Sequence, residues 1–220
     1  MTKPTEPAKS SNRKLYAAGL AGAVAAVAAL YVINGQNGNI GSGESCSAAL
    51  VSAEAVAPHA KGEVAAFLPA SQPLDLSNLT FLSPDDQPIT MADFEGRTVL
   101  LNLWATWCAP CRKEMPALDE LQAELGNEGF EVVAVNLDRG GPEKPKAFLE
   151  EIGVGNLAYY HDAQNGLLRD LRKVARATGL PTTILISPDG CEVGTMYGPA
   201  EWASGEAKAL INASMTKPEA

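Results

Sequence analysis

Thr98-Val99-Leu100-Leu101-Asn102-Leu103-Trp104-Ala105-Thr106-Trp107-Cys108-Ala109-Pro110-Cys111 carries two cysteines at the point where an apolar run gives way to a polar one. The segment Thr98–Leu103 reads as a buried strand. In the following Arg112–Leu121 segment, Met115, Leu118 and Leu121 recur at helical spacing, which predicts a helix from about Pro110 to Leu125. Cys108 then stands at a helix N-terminus, where free backbone N–H groups and the helix dipole stabilise negative charge. A thiol with a pKa of about 8.5 is only about 3% thiolate at pH 7, and one lowered to about 7 is half ionised. Two intervening residues let the second sulfur reach the first, so a disulfide can form and break without refolding. This pattern points to thiol–disulfide exchange.

Cys-x-x-Cys spacing also occurs in zinc sites. Here no second Cys-x-x-Cys or His pair completes a tetrahedron, and no metal or cofactor is expected. Trp104 and Trp107 flank Cys108 and are expected to shield the pair. Seventy residues on, Gly179-Leu180-Pro181-Thr182-Thr183 leads into the apolar run Thr183-Ile184-Leu185-Ile186. With these two motifs the chain resembles the thioredoxin family, in which a cis proline opens a strand beside the active cysteines.

The first 14 residues carry Lys3, Lys9, Arg13 and Lys14 against the single acid Glu6, and are read as a cytoplasmic tail. Residues 15–33 are uncharged, and a helix of that length is about 28 Å, close to the thickness of a bilayer core. The basic cluster before it places everything after Asn34 on the far side of the membrane. A cleaved signal peptide is the alternative, but Leu30-Tyr31-Val32-Ile33 offers no small-x-small site. Residues 34–73 read as a Gly-, Asn- and Ser-rich tether followed by a helical extension at Cys46–Ala57. Residues 74–220 read as one compact domain.

The whole chain has 17 Lys and Arg against 26 Asp and Glu, for a net charge of −9. Without the first 14 residues, which hold four of the basic and one of the acidic, it is −12. Such a surface argues against nucleic acid as a partner. Strands are predicted at Leu79–Leu82, Ile89-Thr90, Phe130–Asn136 and, weakly, Leu157–Tyr160, and a hairpin at Thr182–Ile186 and Cys191–Met196. Helices are predicted at Glu143–Ile152, Leu167–Ala177 and Glu201–Ser214. Strands interleaved with helices give an α/β architecture, a central mixed sheet flanked by helices.

The resemblance covers about residues 74 to 214. It is to the membrane-anchored periplasmic branch of thioredoxins, the TlpA, CcmG and ResA group, and the runs at 102–111 and 180–183 look most like TlpA. It implies a thioredoxin fold on the inner membrane, N-terminus cytoplasmic and catalytic domain periplasmic. Cys108 would be the exposed nucleophile, Cys111 the buried resolving thiol, and Leu180-Pro181 cis. Trp107, Ala109, Pro110, Leu180 and Pro181 would form the substrate surface. Cytoplasmic thioredoxins carry a buried Asp where this chain has Asn102, and an amide cannot take a proton. Glu114, one helical turn after Cys111, is the candidate acceptor by likeness to the ResA branch; an ordinary solvated carboxylate is the alternative.

The resemblance implies a reductase of client cysteine pairs in copper-site or cytochrome c assembly. Its clients would be Sco-like copper chaperones, cytochrome oxidase subunit II or apocytochrome c, and a DsbD- or CcdA-type membrane protein would recharge it. A disulfide oxidase or isomerase is the competing enzyme reading, and a thioredoxin-fold copper chaperone the competing class. His59 and His161 are assigned no role. Cys46 and Cys191 both fall on the oxidising side, where an even count predicts a structural Cys46–Cys191 disulfide, with two unpaired thiols as the alternative.

Overall fold

The computed structural model describes residues 46–215. The cytoplasmic tail at 1–14, the membrane span at 15–33 and the tether up to residue 45 lie outside the described residues. Among those described, no helix is long and apolar enough to cross a membrane.

Eight strands form one sheet: β1 (Phe67–Pro69), β2 (Thr80–Leu82), β3 (Pro88–Thr90), β4 (Thr98–Trp104), β5 (Phe130–Asn136), β6 (Tyr160–His161), β7 (Thr182–Ile186) and β8 (Glu192–Tyr197). Their spatial order is β1-β8-β7-β4-β5-β6-β2-β3. β4 is central, parallel to β5 and antiparallel to β7, so the sheet is mixed. The helices are α1 (Ser47–Val56), α2 (Ala109–Leu125), α3 (Glu143–Glu151), α4 (Gly166–Lys173) and α5 (Gly205–Met215).

The period-2 alternation of the strands divides the core into two layers. Leu100 and Trp104 of β4, with Phe130 and Val132 of β5, pack with α2, α3 and α5 on one face. Val99, Leu101 and Leu103, with Val133 and Val135, pack with α4 and the β2–β3 hairpin on the other. Asn102 shares its parity with Leu100, and so points toward α2.

Four expectations are corrected. The domain does not begin at 74, because Phe67–Pro69 is the edge strand β1, paired with Gly194–Met196 of β8. The strands approach so closely at Gly194 that a Cβ there would stand 2.5 Å from the Phe67 ring. The extended segment expected at Leu157–Tyr160 shrinks to β6. The Asp119 carboxylate takes the backbone N–H groups of Gly155, Asn156 and Leu157 at 2.7–3.1 Å, leaving them unable to join a ladder.

The helix expected to reach Ala177 stops at Lys173. Ala175 turns left-handed (φ 57°), and the N–H groups of Ala175 and Arg176 return to the carbonyls of Arg172 and Leu171. This is a C-terminal cap with alanine in the place glycine usually takes. The final helix starts at Gly205 instead of Glu201 because Ser204 caps it, its hydroxyl accepting from the Ala207 N–H at 3.1 Å.

The sulfurs of Cys46 and Cys191 are bonded, with Cα atoms 5.6 Å apart. The bond ties the start of α1 to the turn between β7 and β8, and α1 packs on α5 and β8.

Candidate active site

β4 ends at Trp104 in the middle of the sheet, and the chain reaches Cys108 through the three residues Ala105-Thr106-Trp107 before α2 begins. The Cys108–Cys111 disulfide spans the first turn of α2, with Cα atoms 5.3 Å apart. Cys108 is the N-cap residue, and its sulfur accepts from the Cys111 N–H at 3.3 Å. A helix N-terminal donor aimed at this sulfur stabilises the charge it carries as a thiolate. Cys108 is 6% exposed and Cys111 fully buried. An incoming thiol or disulfide thus has a narrow opening onto one sulfur and none onto the other. Cys108 is less open than the resemblance implied, but the order of the two is as expected.

The cis Leu180-Pro181 peptide leads into β7, whose first residue, Thr182, lies opposite Leu103. Register therefore brings Pro181 to the same end of the sheet as the cysteines. Trp104 is buried and its ring lies 6.0 Å from that of Phe148. Trp107 is 66% exposed, and Ala109 and Pro110 are exposed too, so Trp107 does not shield the pair. The connection is too short to fold a second indole inward once Trp104 has filled the core.

Glu114 is buried at 2% exposure, which removes the reading of it as a solvated carboxylate. Asn102 Nδ2 donates to its Oε1 at 2.8 Å and the Ala200 N–H to its Oε2 at 3.2 Å. Asn102 Nδ2 also donates to Thr183 Oγ1 at 2.9 Å, so α2, β4 and β7 meet at one amide. Burial pushes the Glu114 carboxyl up to about 7, outweighing the Asn102 and Ala200 donors that favour its ionised form. The Trp202 indole N–H adds a weaker pull on the same carboxylate without reaching hydrogen-bond geometry. A carboxyl poised near neutrality on the helix that carries Cys111 can take and return a proton at working pH.

One residue at the site had no signal in the sequence. Asp138, just beyond β5, accepts from the Thr106 N–H at 2.8 Å, the Thr106 hydroxyl at 2.7 Å and Asn136 Nδ2 at 2.8 Å. It fixes the connection two residues before Cys108. An Asp after a buried strand is common, and only the parallel pairing of β4 with β5 brings it to Thr106. Asp138→Ala leaves those three donors without their acceptor. It is expected to cost about 1–3 kcal/mol in denaturant unfolding and to slow exchange at Cys108, whereas Asp138→Asn keeps part of both. An unchanged unfolding midpoint in the alanine variant would show that the clamp holds nothing.

His161 stacks on Tyr159 and pairs with Asp86 at 2.8 Å, and His59 ends a 3-10 turn after α1. Neither touches the cysteines.

A family model described as Redoxin matches residues 63–211. The thiol-disulfide oxidoreductase ResA of Oceanobacillus iheyensis is 41% identical over 106 residues, 48% of this chain and 52% of the relative. ResA of Bacillus subtilis is 32% identical over 130 residues, 58% of this chain and 68% of the relative. The alignments thus span between half and about two thirds of these relatives. A crystal structure described as the thiol:disulfide interchange protein DsbE from Chlorobium tepidum superposes with a TM-score of 0.55. It is 25% identical, over 64% of this chain and 96% of that one. The sheet order and this likeness show an α/β fold of thioredoxin type.

Proposed function

Because the chain belongs to the Redoxin family, we propose that it is a thiol:disulfide oxidoreductase working mainly as a reductase of client cysteine pairs. The observation that carries this reading is the Cys108–Cys111 disulfide at the start of α2, Cys108 slightly exposed and Cys111 fully buried. In the reduced form, the Cys108 thiolate attacks one sulfur of a client disulfide. The client S–S bond breaks, its other sulfur leaves as a thiolate, and a mixed disulfide joins Cys108 to the client. Cys111 then gives its proton to the Glu114 carboxylate and attacks the Cys108 sulfur. The mixed disulfide breaks, and the client's second sulfur leaves and is protonated. Two electrons have passed from the dithiol to the client, and the pair ends as the disulfide seen here.

The reduction potential against glutathione tests the direction. A value near or below that of thioredoxin, about −270 mV, supports a reductase, and one near −120 mV overturns it. Likeness to ResA supports clients in cytochrome c maturation, with Sco-like chaperones or cytochrome oxidase subunit II as the copper-site option and a DsbD- or CcdA-type donor. The uncharged run at 15–33 after a basic tail supports a membrane anchor with the domain in the periplasm.

Glu114 gives this reading a pH signature. Its carboxyl holds a proton in the folded state up to about pH 7, whereas its ordinary value is 4.5. The folded state therefore binds the extra proton between those limits, and stability present below about pH 4.5 is lost as pH rises to about 7. The loss is on the order of 3 kcal/mol. Glu114→Gln should flatten that slope and slow attack by Cys111 about a hundredfold at neutral pH. A variant with the wild-type pH–stability curve and resolution rate would remove Glu114 from the mechanism.

A further inference from the structure

The chain is acidic overall, yet the surface beside Cys108 is basic. Arg112, Lys113, Arg139, Lys144 and Lys146 are all exposed, and none makes an ion pair among the described residues. Of the other cations, Arg97, Lys173, Arg176 and Lys208 are each paired with a carboxylate, whereas Lys61, Arg169 and Arg172 are exposed without an ion pair among the described residues.

Tertiary contacts place Arg112 and Lys146 on this side, and Lys113, Arg139 and Lys144 adjoin them or Asp138 along the chain. The Arg112 guanidinium lies 5.0 Å over the ring of Phe148 on α3, and that ring lies against Trp104 at the end of β4. Lys146, two residues before Phe148 on α3, sits 4.9 Å over the Tyr159 ring. Arg139 follows Asp138, whose carboxylate holds Thr106 two residues before Cys108. Cation–π contact fixes Arg112 and Lys146 over aromatic faces while leaving their charge accessible. Acids also lie on this side, but none is paired with these cations: Asp138 accepts from Thr106 and Asn136, Asp86 is bonded to His161, and the exposed Glu143, Glu150 and Glu151 of α3 make no ion pair among the described residues.

We infer that this basic surface docks an acidic polypeptide segment, the one that presents the client's cysteine pair to Cys108. The inference rests on the oxidoreductase reading and names the chemistry of its client. Unpaired cations next to a narrowly open sulfur steer an oppositely charged partner onto it, and the surrounding negative surface turns other approaches away. Electrostatic recognition of this kind acts mainly on the rate of encounter, and salt weakens it within a Debye length of about 8 Å at physiological ionic strength.

The test uses the reduced full-length protein and three oxidants. Two are synthetic peptides that each hold one intramolecular disulfide, flanked by Asp and Glu in the first and by Lys in the second. The third is the uncharged hydroxyethyl disulfide. In every case the Cys108/Cys111 dithiol gives up two electrons and two protons, and the oxidant's disulfide becomes two thiols. The acidic peptide should react at least about tenfold faster than the basic one at about 20 mM salt, with the gap closing near 500 mM. Arg139→Glu/Lys144→Glu/Lys146→Glu should abolish or invert the preference while leaving the rate with hydroxyethyl disulfide unchanged. Lys144→Ala/Lys146→Ala, a milder change, should halve the preference or more.

Equal rates for the two peptides, or a preference that survives salt and charge reversal, would overturn the inference. Equal rates together with flotation on phosphatidylglycerol vesicles would overturn it in favour of a lipid surface. No reaction with any of the three oxidants would instead overturn the oxidoreductase reading on which it stands.

Discussion

Cys111→Ser is expected to accumulate a mixed disulfide between Cys108 and a client, and Cys108→Ser to accumulate none. Either change should lower disulfide exchange by more than about a thousandfold, because the two sulfurs act as a unit and one has no function without the other. The asymmetry follows from their surroundings. Cys108 has the opening to solvent and receives the Cys111 N–H at 3.3 Å, so it meets the client first. Cys111 is enclosed on α2 one turn before Glu114 and can reach only the sulfur of Cys108. Trapping is read on a non-reducing gel, with iodoacetamide blocking free thiols. If both serine variants trap clients equally, the order of attack is wrong. If neither does, the protein does not proceed through a mixed disulfide.

Replacing the second pair, Cys46→Ser/Cys191→Ser, should destabilise the domain without disabling the site. The bond closes a loop of sequence separation 145, for which the chain-entropy account gives an upper figure of about 5 kcal/mol, with losses of about 2–5 kcal/mol typical. For a domain of this size that lowers the thermal midpoint by roughly 5–15 °C. Exchange at Cys108 should persist below the transition, because the staple lies at the other end of the strands. Cys191 follows the turn after Ile186, at the end of β7, whereas the active connection adjoins Thr182 at its start. Mild reduction should release two thiols, those of Cys108 and Cys111, and the second pair should yield only on unfolding. Four thiols released together, or an unchanged midpoint in the double variant, would refute a structural role.

These two pairs also mark how much of the protein was legible beforehand. Cys108 and Cys111 are local: three residues apart, they sit on a strand–helix junction that hydrophobic periodicity alone reveals. The β4–α2 and β5 boundaries were readable for the same reason, since a buried strand and an amphipathic helix each write their period into consecutive residues. Cys46 and Cys191 were paired by compartment and parity, and the bond itself required α1 to lie on the β7–β8 turn.

Where the chain departs from its local pattern, a distant group is responsible. The carboxylate of Asp119 took the Leu157 N–H from the expected strand at 157–160, along with those of Gly155 and Asn156 just before it, and β8 recruited Phe67–Pro69 out of what read as a helical extension. Glu114 is the sharpest case. Its place one turn after Cys111 was legible, but its exposure was not, because burial depends on the Asn102 amide from β4, the Ala200 N–H and the packing of Trp202 around it. The sequence by itself determined the nucleophilic pair, the proline motif and the order of elements, all of which rest on neighbours along the chain. Only the tertiary structure decided which carboxyl is held near neutrality and which cations stand unpaired beside Cys108. Desolvation and charge pairing depend on contacts between residues that the fold, and not the chain, brings together.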